Sequence, residues 1–421
     1  MHVFLRLGAA AAALAALAAQ RLRKPPPEIQ YDVIVVGGGV MGVWSAIAAA
    51  RQNKTVCLVE KYTEGHDKGS SHGDGRIYRF AYADEIYVDM MYLSLSYWGE
   101  LNNATSKVLA HTGGVSLYSG QGGNYDSHGG LDDLLRIYRK RGLAHEKLSR
   151  KKLKERFPQF SAPKNTTALY QPDFGVLFAD VAMARAYELA RKLGMDVREG
   201  AEVVSVKRRA DSVEVRLKKE EIVGRSCIVA PGAWLTSTAK KWFGLHIPTV
   251  VTRETVSYFR PKGSKAVYGY KRMPVFISDL NNGLGDLGYY GIPVVETPGV
   301  KVAAHHVGAV LDEKALRTHN GTGDPAIIEA NQRFVASFFP GLEATPFHSE
   351  SCLYTTTPDY HYVLDKVPGA GAPVILAGGG SGHAFKMGPA IGDAAAALAL
   401  GRKPPFSLET FRLDRPALRR A

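Results

Sequence analysis

Residues 31–42 read Tyr-Asp-Val-Ile-Val-Val-Gly-Gly-Gly-Val-Met-Gly, and no other stretch restricts the fold as strongly. A four-residue apolar run, Val33 to Val36, meets Gly37, Gly39 and Gly42 in the order G-x-G-x-x-G, just where an alanine-rich helical pattern begins. The first glycine permits the sharp turn, the second lets a pyrophosphate approach the backbone, and the third allows helix and strand to pack closely. The free N–H groups at the helix start then face the phosphates. A second apolar run, Thr55-Val-Cys-Leu-Val-Glu60, ends in an acid about 20 residues beyond the glycines, the place from which a carboxylate accepts hydrogen bonds from a ribose. Glu60 therefore predicts an adenosine ribose with a free 2′-hydroxyl, so FAD or NAD rather than NADP.

The chain has 421 residues, enough for two or three domains. Its net charge is +13, of which Arg6, Arg21, Arg23 and Lys24 supply four within a first 27 residues that hold no acid. The other basic residues, such as Arg136, Arg139, Lys140 and Arg141, are spread over helical patterns with one interleaved aromatic, Tyr138. That is a solvated face and a field favouring an anionic substrate, not a nucleic-acid footprint. Residues 8–19 form an alanine-rich core too short and weakly apolar for a span of about 20 residues. Segment 1–27 reads as a targeting or anchor segment: a signal peptide or signal anchor, or an organellar presequence for mitochondrion or plastid. Membrane attachment is expected only through it, and the final Arg-Arg-Ala is not a peroxisomal tripeptide. Cys57 and Cys227 sit in apolar runs as core residues, which leaves Cys352 to be explained. No metal site is expected.

Farther along, 65–76 is a glycine- and serine-rich passage read as a loop, mobile or wrapped round a ligand. Helical periodicity returns over 84–101, with Tyr87, Met91, Leu95 and Trp98 on one face. Segments 196–208, 213–218 and 226–231 read as hairpin strands. From 249 to 305 the pattern is β-rich. Near the end, Pro373-Val-Ile-Leu-Ala377 runs into Gly378-Gly-Gly-Ser-Gly-His383 and another alanine-rich helix. Strand, glycine turn and helix at both ends predict a discontinuous α/β dinucleotide domain from 28–85, 150–240 and 345–421. The inserted β-rich substrate domain is expected from 86–149 and 241–344.

Five motifs in order now give a resemblance. They are Gly37-x-Gly39-x-x-Gly42, Gly69-Ser-Ser-His-Gly-Asp-x-Arg-Ile-x-Arg79, Pro231-Gly-Ala-Trp234, Cys352-Leu-Tyr-Thr-x-Thr-Pro-Asp359 and Gly380-Ser-Gly-His-x-Phe-Lys386. With these the chain resembles the monomeric sarcosine oxidase and pipecolate oxidase family of FAD-dependent amine oxidases. The resemblance implies a Rossmann-like FAD domain of the glutathione-reductase type and an inserted mixed-sheet substrate domain. It implies a monomer that oxidises a secondary amino acid and returns the electrons to O2 as H2O2. Arg79 and Lys386 match the carboxylate-binding pair, and an arginine fork beside an ammonium suits that anion. Cys352 matches the cysteine joined covalently to the flavin, with Arg76 and Lys386 expected to favour its thiolate. Lys301 matches the lysine where oxygen is reduced, and His305 and Tyr290 match residues beside the substrate. His72 and Arg76 match residues beside the flavin ring, where a cation would stabilise the reduced anion. Ser70, Gly382 and His383 lie in matched motifs on the cofactor.

Three positions depart from the family pattern. Gly75 replaces a frequent threonine, Gly380 an aromatic, and Ala384 a glycine. Two rival readings keep the fold and change the role: a dehydrogenase passing electrons to a quinone or carrier, and a non-catalytic FAD-binding assembly protein.

Overall fold

A computed structural model of the chain describes residues 28–102, 107–119, 129–279 and 288–419. The segment expected to target or anchor the protein, 1–27, lies outside the described residues.

The opening strand Tyr31–Val36 sits inside an eight-stranded sheet. Val56–Val59 and Glu221–Val229 flank it, both parallel, so its Val33, Ile34 and Val35 have no exposed surface. Burial on both faces is what an unbroken β-branched run demands. Val374–Gly378 joins parallel to Glu221–Val229, bringing the C-terminal glycine turn beside the N-terminal one. The helices that follow the two turns, Val40–Ala50 and Gly388–Ala399, pack on each other. A Cβ added at Gly392 would stand 2.5 Å from the backbone carbon of Trp44. Gly392→Ala is therefore expected to push the helices apart and cost about 1–3 kcal/mol, read as a lowered Tm in thermal unfolding.

One expected hairpin divides. Asp196–Arg198 lies parallel to Val56–Val59, because the helix Ala179–Lys192 before it carries the chain back over the sheet as a crossover. Only Val203–Arg208, Val213–Leu217 and Glu221–Val229 form an antiparallel meander.

A nine-stranded sheet forms the second layer, and its strand pairing crosses the segments read from local patterns. Glu146–Ser149 and Thr166–Gln171 belong to it, as does His348–Thr356, paired along its whole length with Val250–Phe259. The expected boundaries at 150 and 345 thus cut through this sheet. At the end of the passage read as a loop, Gly75–Tyr78 is a strand, paired with Gly175–Phe178 in a small sheet of three. That pairing is non-local, so no local signal announces it. The helix Glu85–Glu100 buries Tyr87, Met91 and Trp98 on one face as the spacing predicts.

Candidate functional site

A cavity of about 1180 Å³ runs from the first glycine turn to the C-terminal one. At the first turn Gly37 has φ +100°, and a Cβ there would lie 2.3 Å from the Ala230 carbonyl oxygen. Gly42 is closed off in the same way, its Cβ falling 1.8 Å from the Gly37 carbonyl, so it serves helix–strand packing and does not line the cavity. Gly39 faces the cavity as the residue that opens the helix Val40–Ala50. The Ser71 hydroxyl accepts from Val40 N at 3.0 Å and so caps that helix start. Glu60 is buried, and its two oxygens accept from Gly38 N at 2.6 Å and Tyr62 N at 2.8 Å. Parallel strand, glycine cradle, a helix start lining the cavity and an acid suit the pyrophosphate and ribose of a dinucleotide.

The far end collects residues from every segment. Arg76, on the strand Gly75–Tyr78, donates to the carbonyls of Gly75 and His72. His72 lines the cavity and its buried Nε2 has no hydrogen-bond partner among the described residues. Burial and the neighbouring Arg76 push its imidazole down to about 4, so it is neutral near pH 7. Of the two residues expected beside the flavin, Arg76 is thus the one that carries positive charge. An orphaned ring nitrogen in a cavity this large fits a planar heterocycle that supplies its partner, and in that respect the residues present fit FAD.

Arg79 and Lys386 converge on one ring. The Arg79 guanidinium is buried, donates to the Ala81 carbonyl and lies 4.2 Å over Tyr82. The Lys386 ammonium donates to the Tyr82 hydroxyl at 3.0 Å and the His383 carbonyl at 2.6 Å. Trp98 holds the Lys386 backbone through its indole N–H at 2.9 Å and stacks on Phe385. Two buried cations brought together on one ring suit an anionic group bound beside them. His383 has both ring nitrogens engaged. The Tyr360 carbonyl can only accept, so Nε2 carries the proton and Nδ1 accepts from Tyr362 at 2.7 Å.

Lys301 and His305 both line the cavity, as their even spacing along Val300–Ala304 predicts. Lys301 is buried and donates to the Gly75 carbonyl at 3.3 Å. Burial first, then Arg76, lower its ammonium to about 8. Glu254 anchors the turn after His305 by accepting from Val307 N at 3.2 Å and Gly308 N at 3.1 Å. Tyr290 pairs across the sheet with Ala303 and sets its ring edge-on to His305, 5.7 Å away. The Tyr354 hydroxyl stands 3.4 Å from His305 Nδ1.

Cys352 lines the same end, and Ser70, donating to the Leu353 carbonyl at 2.6 Å, ties the serine-rich passage to its strand. Burial pushes the thiol up, against the lowering effect of Arg76 and Lys301. The expectation for its surroundings changes accordingly: the second cation is Lys301 instead of Lys386, and burial outweighs both. Gly382 has φ +74°, and a Cβ there would meet the Tyr354 ring at 2.5 Å. Two of the three departures from the family pattern touch each other. A Cβ at Gly380 would lie 3.1 Å from the Ala384 methyl, so the methyl takes up space next to the missing aromatic. At the third, Gly75, the backbone carbonyl is the acceptor for Lys301.

All the expected site residues except Gly42 meet in this one cavity. Sequence reasoning missed Ser71, Tyr82, Glu350 and Tyr354. Ser71 and Tyr354 lie inside quoted motifs and were within reach. Tyr82 and Glu350 gain meaning only from neighbours 304 and 92 positions away, Lys386 and Tyr258.

The profile of the family described as FAD dependent oxidoreductase matches residues 32–398. A peroxisomal sarcosine oxidase of Mus musculus is 31% identical over 385 residues, covering 91% of this chain and 96% of the relative. An N-methyl-L-tryptophan oxidase of Salmonella arizonae is 27% identical, covering 92% and 99%. Among solved structures, NikD, an amino acid oxidase essential for nikkomycin biosynthesis, superposes with TM-score 0.78 over 91% of this chain and 98% of that one, at 20% identity.

Proposed function

Because the chain belongs to the FAD dependent oxidoreductase family, we propose that it is a flavoprotein amine oxidase of secondary amino acids, with O2 as acceptor and the flavin held covalently by Cys352. Sarcosine, other N-methyl amino acids, pipecolate and proline form the candidate substrate class. The observation that carries this reading is the convergence of Arg79 and Lys386 on Tyr82 at the cavity end that also holds Lys301, His305 and Cys352. FAD, when bound, takes a hydride equivalent from the substrate and passes two electrons to O2, which with two protons leaves as H2O2.

The protein's own groups do the rest. The cation pair fixes a carboxylate by charge-assisted hydrogen bonds, and with it the orientation of the adjacent C–N bond. His305 and Tyr290 flank that bond, His305 held by Tyr354 and by the turn that Glu254 anchors. Glu60 and the helix start at Gly39 hold the ribose and pyrophosphate. The substrate nitrogen loses its proton and a carbon bonded to it loses a hydride, leaving an imine that water hydrolyses or that cyclises. Lys301 speaks for oxygen over a carrier, since a buried ammonium stabilises the negative charge that forms as O2 takes electrons.

A peroxide assay across sarcosine, N-methyl amino acids, pipecolate and proline tests the reading. Turnover with an artificial acceptor but no peroxide would favour the dehydrogenase; tightly bound FAD with no turnover would favour the assembly protein. For the covalent link, acid precipitation is expected to leave the yellow colour in the pellet, and Cys352→Ser to release it into the supernatant. Colour released from the unaltered protein would refute the attachment.

A further inference from the structure

Behind Lys301 stands a pair that the reading above does not use. Tyr258 is directly opposite Lys301 across one strand pairing and opposite His348 across the other. Its ring lies 5.6 Å from the Lys301 ammonium. Its hydroxyl donates to Glu350 Oε1 at 2.9 Å. Glu350 reaches the same cavity end, where Gly73 leaves room: a Cβ there would be 3.7 Å from Glu350 Oε1 and 3.2 Å from Arg76 Nη1. His348 Nε2 lies 3.8 Å from the other carboxylate oxygen, on the exposed side.

A half-buried carboxylate in this position is costly unless it offsets positive charge. The groups that bear on Lys301 are Arg76, which disfavours its charged form, and Glu350, Cys352 and Asp74, which favour it. Asp74 is engaged elsewhere, accepting from Glu296 N at 3.3 Å and Thr297 N at 3.0 Å. The Cys352 thiol is pushed up by burial and carries no charge near pH 7. His72 is neutral there. Glu350 is thus the larger of the two carboxylate counter-charges to Lys301, and the one held by Tyr258.

We propose that Glu350, oriented by Tyr258, is a positioning residue for oxygen reduction: its carboxylate holds the proton on Lys301 and so keeps an ammonium beside the flavin. The role rests on the oxidase reading, and the test separates the two. The holoenzyme is reduced with dithionite, so that substrate identity does not enter, and its reoxidation by O2 is followed from pH 6 to 9.5. In parallel, sulfite is titrated into the oxidised holoenzyme. Sulfite adds its lone pair to the flavin ring and places a negative charge there, so its affinity reports nearby positive charge without turnover.

Both readouts are expected to fall as pH rises through about 8 in the unaltered protein, the value at which Lys301 loses its proton. Glu350→Gln is expected to move both breaks down by about one pH unit. At pH 8 that is an about fivefold slower reoxidation, with the values at pH 6 within about twofold. Tyr258→Phe, which keeps the packing, is expected to move the breaks in the same direction by less. Lys301→Met should abolish the breaks beyond sulfite's own ionisation. Breaks that stay at the original pH in Glu350→Gln, even with lower rates throughout, would overturn the role, because damage to structure alone lowers rates without moving a titration. A sulfite break that shifts as expected in a protein whose reduced flavin ignores O2 would keep the Glu350–Lys301 link and sink the oxidase reading instead.

Discussion

Arg79→Met is expected to lower kcat/KM for the amino-acid substrate by about 10²- to 10³-fold, a loss of about 3–4 kcal/mol of transition-state binding. The size follows from the surroundings. Arg79 is buried, backed by the Tyr82 ring and held by the Ala81 carbonyl, so its charge is presented without solvent screening and without much side-chain entropy to lose. Lys386→Met should cost a similar amount, since its ammonium is held by Tyr82 and the His383 carbonyl. The double variant should cost less than the sum of the two, because both cations share one ring and, in this reading, one carboxylate. Amine analogues lacking the carboxylate provide the check: their kcat/KM should be low in the unaltered protein and nearly unchanged by either substitution. A loss as large with such analogues would mean that the substitutions damage the site in general.

The second large effect belongs to Lys301. Lys301→Met is expected to slow reoxidation of the reduced flavin by O2 by about 10²- to 10³-fold, the range found when one preorganised charge-stabilising group is removed. Reduction by substrate should change by less than about threefold, since the ammonium is bound to the Gly75 carbonyl and not to the carboxylate clamp. Rapid mixing resolves the two half-reactions, and equal losses in both would remove the assigned role. The pH dependence has a definite sign. A lysine is charged below its pKa, and burial with Arg76 lowers this one to about 8. The oxygen reaction should therefore be fastest below pH 7 and decline as pH rises through about 8, a decline absent from Lys301→Met.

The features legible in the amino-acid sequence are those whose signal is local. The glycine turn, Glu60 and the helix periodicity of Tyr87, Met91 and Trp98 are written in consecutive residues, because backbone turns and helix faces obey short-range sterics. The strand Gly75–Tyr78 was hidden, since its partner Gly175–Phe178 lies 100 residues on and its own residues look like a polar loop. The edges of the second sheet were hidden for the same reason: His348–Thr356 is bound to Val250–Phe259 by strand pairing, which no local pattern encodes. The charge assignments were the least legible. His72 and Arg76 look alike as cations in a motif, yet burial beside a permanent guanidinium leaves the histidine neutral. Desolvation is a property of the filled volume around a group, and a motif carries no record of it.

The amino-acid sequence by itself determined a dinucleotide-type glycine turn at Gly37 to Gly42 and an acid, Glu60, at the end of the next strand, because those demands fall on neighbouring backbone atoms. It also supplied, in separate motifs, nearly every side chain of the flavin end. Only the tertiary structure decided which of those groups are charged, that Arg79 and Lys386 meet at Tyr82, and that Tyr258 lies between Lys301 and Glu350. Those are through-space matters of distance and solvent exclusion between strands far apart in the chain. The glycine loop binds the cofactor by local geometry; the chemistry depends on what the sheets bring against its other end.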